Sequence, residues 1–251
     1  MDIWKMARSN DGIEELKKNL LGLDSTFQFK CRKCGKCCKN QDTILFSALD
    51  VFRIAKKLGI APDTVIKRYT EVYIGSQSRI PLVHLLMQGK KNACPFLTEE
   101  GRCSIHDTKP TVCRLYPLGR VIIGKTQIEM LDSDPGGIVQ YILSGHCGSA
   151  KKTHTVREWL DAFDIPENDE FFYLWTGTQL KLGRIIRALE EKGITHAALN
   201  PIWNAIFTKL YTDYDTAQEF MPQFQRNADK LLHDISELQG KLKTVLREDN
   251  H

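Results

Sequence analysis

The chain has 251 residues, 42% hydrophobic and 26% charged, with a formal net charge of +4. That length buries a sizeable core as one large domain or two small ones, and the balance is that of an ordinary globular protein. The mild charge does not by itself argue for nucleic acid, which usually leaves a stronger basic footprint, and no apolar run of about 18 residues offers a membrane span.

Among the first twenty residues, Asp2, Asp11, Glu14 and Glu15 interrupt the apolar positions, unlike the core of a secretory signal. The expectation is a cytoplasmic protein, in which thiols stay reduced. Ile13, Leu16, Leu20 and Leu21 suggest a short helix and linker over 1–30. Ser47 with Asp50 three residues on is a capping-box pattern. It predicts a helix with Leu49, Phe52, Ile54, Ala55 and Leu58 on its apolar face and Gly59 as its stop. Ala61-Pro62-Asp63 predicts a second helix, to about Tyr73.

From Ile80 to Met130 the pattern becomes short apolar runs and turns. Residues 82–87 and 93–97 flank a turn at 88–92, and a turn at 98–102 leads to 103–106. Gly124-Lys125 separates strand candidates at 120–123 and 126–131. Beyond 150 helical periodicity takes over. Thr155 caps a helix ending near Phe163, Pro166 starts one running to about Lys192, and Asn200-Pro201 starts one running to about Tyr211. Phe220, Phe224, Ala228, Leu231, Ile235, Leu238, Leu242 and Val245 form a final amphipathic stripe, read as packed core.

All eight cysteines lie between positions 31 and 147. Four crowd into Cys31-x2-Cys34-Gly35-x-Cys37-Cys38, and Cys94, Cys103, Cys113 and Cys147 follow. Two residues between cysteines let both thiolates face one turn, with Gly35 and later Gly101 free to take positive φ. Lys30, Arg32, Lys33, Lys36 and Lys39 interleave with them, and such cations offset the charge of a thiolate site. Disulfides are disfavoured in a reducing compartment. Adjacent Cys37 and Cys38 are expected to diverge and not to serve one tetrahedral ion side by side. Spacing leaves zinc and iron both open, since Cys94-Pro95 also suits the ferredoxin pattern of a ligand before proline.

Together with Cys94-Pro95-Phe96-Leu97, Gly101-x-Cys103-Ser104-Ile105-His106 and Pro110-x2-Cys113-Arg114-x-Tyr116-Pro117, the cluster resembles the CxxCxxCC cysteine-cluster family (YkgJ-like), described as a zinc- or iron-chelating domain. The resemblance covers about residues 28–150. It implies that Cys31, Cys34, Cys37, Cys38, Cys94, Cys103, Cys113 and Cys147 are metal ligands. A related branch, the flagellin lysine methylases, implies a second reading: an iron–sulfur enzyme that modifies a protein side chain. No methyl-donor site is evident here, and Asp134-Pro135-Gly136-Gly137 reads only as a turn. His106 stands where relatives often carry Tyr, which favours a supporting role. His84 reads as a core histidine, and His146 is the best non-cysteine ligand candidate. Arg114 is read as a hydrogen-bond donor to a cluster or to its own loop, and Tyr116 and Pro117 as packing for that loop.

The expected fold class is α+β. A cysteine-rich metal-binding domain of short hairpins and helices spans 1–150, and a mainly helical region spans 151–251. The partner is a metal ion or a [4Fe-4S] cluster, with a protein partner on the C-terminal helices, and no catalytic residue is assigned.

Overall fold

A computed structural model describes residues 18–32, 34–123, 138–144 and 148–248. The expected helix over 1–30 lies largely outside them, as do the strand candidate at 126–131, the turn at 134–137, His146 and Cys147. The fold is α+β, with helices and three small antiparallel sheets.

Strands β1 (Leu20–Leu21) and β2 (Thr26–Lys30) precede a 3-10 turn at Lys36–Cys38 and strand β3 (Leu45–Phe46). Helix α1 (Ala48–Leu58) starts as its residues dictate. Ser47 accepts from the Asp50 N–H while the Asp50 carboxylate accepts from the Ser47 N–H, and Gly59 closes the helix at φ 63°. Helix α2 (Pro62–Tyr69) begins on its proline but stops short of Tyr73, because β4 (Thr70–Ile74) takes over. Thr-Glu-Val-Tyr-Ile is rich in β-branched and aromatic residues, and pairing with β5 (Pro81–Leu85) outweighs continued helix. The strand expected at 93–97 and the run at 103–106 form only single bridges, Gln88 with Ala93 and Leu97 with Cys103.

A five-residue helix α3 (Thr111–Leu115) leads into β6 (Leu118–Ile123), which pairs with β7 (Ile138–Leu143), itself paired to β1. Strand β8 (Ser149–Thr155) pairs with β2, and Thr155 caps α4 (Val156–Asp161) through a capping box with Glu158. The long helix α5 (Glu170–Glu190) starts at an Asp169 cap, four residues later than Pro166 suggested, because the Asp169 carboxylate accepts from the Phe172 N–H.

Helix α6 (His196–Phe207) begins at Thr195, so Asn200-Pro201 lies inside it and is not its start. Thr195 supplies the cap oxygen, and Pro201 forfeits one N–H bond while Leu199, Ile202, Trp203 and Ile206 stay buried around it. A π turn (Thr208–Thr212) and helix α7 (Phe220–Glu248) follow. The α7 stripe is buried at Phe220, Phe224, Ala228, Leu231 and Ile235, whereas Leu238 is exposed.

Two apolar clusters organise these elements. One runs from Ile44 through α1, β5 and Ile105 to Phe171, Trp175, Trp203 and α7, and Cys94, Cys103 and Cys113 pack against it. The other gathers Phe27, Phe29, Leu115, Leu118, Tyr141, Val156, Leu160 and Ile165 beneath β2 and α4. Cys113 and Leu115, two residues apart on α3, face different clusters. Cysteine-bearing loops are therefore seated on apolar surface that more regular elements provide.

Candidate metal centre

Backbone pairing brings the cysteines together from three separate stretches of chain. Gly35 takes φ 66°, as its position after Cys34 required, and opens the 3-10 turn that carries Cys37 and Cys38. A Cβ on Gly35 would lie 3.6 Å from the Leu97 side chain, so the turn packs on the loop that follows Cys94. That loop is then stitched to the turn. The Cys94 N–H donates to the Cys38 carbonyl at 2.8 Å, the Asn40 N–H to the Asn92 carbonyl at 2.9 Å, and Lys39 bridges to Ala93.

A tight reversal, with Gly101 at φ 74°, delivers the next cysteine. The Thr98 N–H donates to the Arg102 carbonyl and the Ser104 N–H to the Phe96 carbonyl, each at 2.8 Å, which sets Cys103 beside Leu97. Cys113 comes from α3, whose first turn is fixed by the Cys113 N–H donating to the Pro110 carbonyl at 2.8 Å.

The electrostatics register this convergence. The Cys94 thiol is pushed up to about 11, first by burial and then by Cys103 and Cys37, while the backbone N–H groups of Phe96 and Leu97 pull it down. Burial likewise raises Cys103 against the Ile105 N–H, and raises Cys113 with Cys94, Asp50 and Cys103 adding to it. Buried thiols with like neighbours resist ionisation, and a bound cation removes that penalty. Backbone N–H groups aimed at sulfur are what a thiolate ligand needs for its remaining lone pairs.

The two adjacent cysteines correct the expectation that they diverge. Their Sγ atoms stand 3.9 Å apart within the 3-10 turn, each side chain leaning toward the other. Metal–sulfur bonds of about 2.3 Å in a tetrahedron put sulfurs about 3.8 Å apart, so the pair matches one tetrahedron edge. The hydrogen bond between the two thiols raises Cys37 and lowers Cys38.

Cys31 and Cys34 are exposed, and Lys33 between them lies outside the described residues, as does Cys147. None of the seven described cysteines is joined in a disulfide. Among the described residues, no three Cys, His, Asp or Glu side chains close on a single ion position. The cluster is a gathering of thiols whose chemistry suits a thiophilic ion, with one Sγ–Sγ distance, at Cys37 and Cys38, of 3.9 Å.

Charge compensation comes from an unexpected residue. Lys30, Arg32 and Lys36 are exposed, whereas the Lys109 charge acts on Cys37, Cys103 and Cys113, partly opposing the effects that raise all three. Its ammonium lies 4.5 Å from the Phe163 ring centre, a cation–π contact that holds it near the thiols. Its position four residues before Cys113 was the available signal. His106 is exposed. His84 is buried on β5 with Nδ1 at 3.0 Å from Glu71 Oε1, and its Nε2 has no partner among the described residues. Arg114 is buried and donates to the Asp164 carbonyl at 3.1 Å, which ties α3 to the loop after α4. Tyr116 packs edge-on against Phe29, as a residue shaping its loop should.

Residues 30–134 match the model of the CxxCxxCC family, whose description reads "Putative zinc- or iron-chelating domain". An uncharacterized protein of Methanocaldococcus jannaschii is 34% identical over 90 residues, which is 36% of this chain and 44% of that relative. The chain thus spans less than half the length of that curated relative. No solved structure matches the chain. The family match supports metal binding, by zinc or iron, in the segment that holds the converging cysteines.

Proposed function

We propose that this chain is a metal-binding protein whose cysteine cluster holds zinc or iron in a structural, metal-handling or interaction role. The observation that carries the reading is the meeting of Cys37 and Cys38, Cys94 and Cys103, and Cys113 from three stretches of chain, with one sulfur pair already at 3.9 Å. Those five are the proposed inner set. Cys31, Cys34 and Cys147 complete the eight, the first two reaching the cluster through the Gly35 turn.

A bound ion would supply the positive charge that several buried thiolates lack, and with it folding free energy for a loop-built segment. The chain's own residues do the rest. Phe96, Leu97 and Ile105 direct N–H groups at sulfur, and Lys109 offsets part of the negative charge. The cytoplasm suits reduced thiols. No helix of the described residues is long and apolar enough to cross a membrane. A protein partner would meet the C-terminal helices, where Leu174 and Leu238 are exposed.

A second reading has one observation in its favour: the gathered thiols outnumber the four ligands of a single tetrahedral ion. A [4Fe-4S] centre also takes four thiolates. The thiol left over, or a labile iron, would then take part in the chemistry of an enzyme that modifies a protein side chain, as in the flagellin lysine methylase branch. Anaerobic purification followed by metal and acid-labile sulfide quantification tests both. Near-stoichiometric zinc, or iron without sulfide, supports the first reading, and iron with matching sulfide selects the second. Protein that takes up neither metal after reduction overturns both.

A further inference from the structure

Asp50 stands out among the buried polar groups because its carboxylate has two separate jobs. Only 3% exposed, it receives four hydrogen bonds. Its Oδ2 accepts from the Ser47 N–H at 2.9 Å and the Ser47 hydroxyl at 2.8 Å, which closes the capping box of α1. Its Oδ1 accepts from the Thr111 N–H and the Thr111 hydroxyl, both at 2.8 Å. A helix cap needs only the first pair. The second crosses 61 positions of sequence to the first residue of α3, the helix that carries Cys113.

Few other regular features fix α3. It has five residues, no side-chain cap of its own, and a proline before it. On the far side Arg114 donates to the Asp164 carbonyl, so the turn bearing Cys113 is held between two polar ties. The Asp50 side is the rigid one, since α1 is anchored by Ala48, Val51, Ile54 and Ala55, all fully buried. A carboxylate accepting four donors is held in one orientation, and charge-assisted bonds of this kind are about twice as strong as neutral ones. Asn in its place has one acceptor oxygen and would turn an amide N–H₂ toward one of the two donor pairs.

We propose that Asp50 is a positioning residue for the cysteine cluster: it ties the Cys113-bearing turn to α1 and so fixes where the Cys113 sulfur stands relative to Cys94 and Cys103. The proposal rests on the metal-binding reading above. It assigns Asp50 no contact with metal. Supporting residues of this kind typically change metal affinity about 10–100-fold when altered.

The test compares Asp50→Asn, Thr111→Val and Ser47→Ala in the full chain. Thr111→Val removes one bond on the cysteine side, and Ser47→Ala weakens the α1 cap while leaving the Thr111 pair in place. Zn²⁺ affinity is read by competition with a chromophoric chelator, thiolate number by the charge-transfer band of the Co²⁺-substituted protein, and stability by thermal melting. The expected result is a loss of Zn²⁺ affinity of about 10–100-fold in Asp50→Asn. A smaller loss is expected in Thr111→Val, and none in Ser47→Ala even though its melting temperature falls. Equal Zn²⁺ affinity and an unchanged Co²⁺ band across all three variants would overturn the proposal.

Alkylation of Cys113 in metal-free protein, mapped by mass spectrometry, separates this inference from the reading beneath it. Thr111→Val keeps the Asp50 charge, which itself slows Cys113 ionisation. Faster labelling of Cys113 relative to Cys94 in that variant supports the positioning role even if the wild type binds no metal. Unchanged labelling in Thr111→Val overturns it. Should Asp50→Asn fail to fold, Thr111→Val alone decides by the same two readouts.

Discussion

The C-terminal helices and the cysteine segment are held in place by different means. In α5–α7, buried side chains recur at helical spacing. Phe171, Trp175, Leu182, Ile186 and Leu189 on α5 meet Phe220, Phe224, Leu231 and Ile235 on α7 in one apolar cluster. From Cys31 to Tyr116 much of the chain is turns, and the contacts that set the cysteines are single bridges and backbone hydrogen bonds such as Cys94 to Cys38. Apolar packing needs no ligand to be stable, whereas a gathering of buried thiols becomes stable only when something offsets their charge. One region carries its own cohesion, and the other is arranged for a cohesion that metal completes.

The largest expected effect is on the helical side. Phe224 is 1% exposed, stacked with Phe220, edge-on to Phe171 and tilted against Trp175. Phe224→Ala should cost about 3–5 kcal/mol, measured by chemical denaturation. Metal content of the folded fraction should stay at the wild-type value; metal lost in proportion to stability would erase the distinction between the two regions.

Metal removal probes the other side. At free metal about 100 times the dissociation constant, binding contributes about 2.7 kcal/mol. At roughly 2–4 °C per kcal/mol for a chain of this size, stripping should lower Tm by roughly 5–10 °C. Hydrogen exchange should accelerate at residues 34–40 and 92–117 and leave α5–α7 protected. Uniform acceleration along the chain would show one cooperative unit in place of two modes of cohesion.

A smaller effect tests the second apolar cluster, which lies next to the cysteines without holding them. Thr155→Ala removes the hydroxyl that accepts from the Glu158 N–H at 3.1 Å, which should cost about 1 kcal/mol. Metal stoichiometry should not change. A fall in metal content would mean that β2, which pairs with β8 and leads into Cys31, transmits the damage.

Local chemistry explains what was legible in the sequence. Ser47 with Asp50, Gly59, Gly35, Gly101 and Thr155 each act within a few residues of themselves, and each does what its residue type dictates. The α7 stripe is local in the same sense, and the α+β class followed from such patterns. Where two local signals competed, the sequence alone did not decide: Thr70–Ile74 left its helix to pair with β5, and an earlier local cap at Thr195 displaced Asn200 as the start of α6. The cysteine site was legible as a set of residues but not as an arrangement. That the sulfurs of Cys37 and Cys38 meet, and that Asp50 reaches Thr111, depend on side-chain contacts no spacing announces, whereas Lys109 left one signal, its place four residues before Cys113.

The smallest predicted effect concerns a tie between the regions. Arg79, after β4, holds Glu190 at the end of α5 through Nε to Oε2 at 2.7 Å and Nη2 to Oε1 at 2.5 Å. That hydrogen-bonded guanidinium lowers the Glu190 pKa below its ordinary 4.5. A carboxyl depressed in the folded state contributes stability that is complete above its unfolded value and is lost as pH falls through the folded one. Glu190→Gln should therefore lower stability slightly at pH 7 and flatten its decline below about pH 4.5, so that variant and wild type converge in acid. Both partners are largely covered but open to water at one edge, with side-chain exposures of 29% and 15%, so screening keeps the effect small. Denaturation midpoints measured from pH 7 to pH 3 check it. If the two pH profiles stay parallel throughout, the Arg79–Glu190 pair contributes nothing, and the sheet loop is held by Trp203 of α6, whose indole N–H donates to the Arg79 carbonyl at 2.9 Å, and by Arg187 of α5, which donates to the Gln77 carbonyl at 2.8 Å.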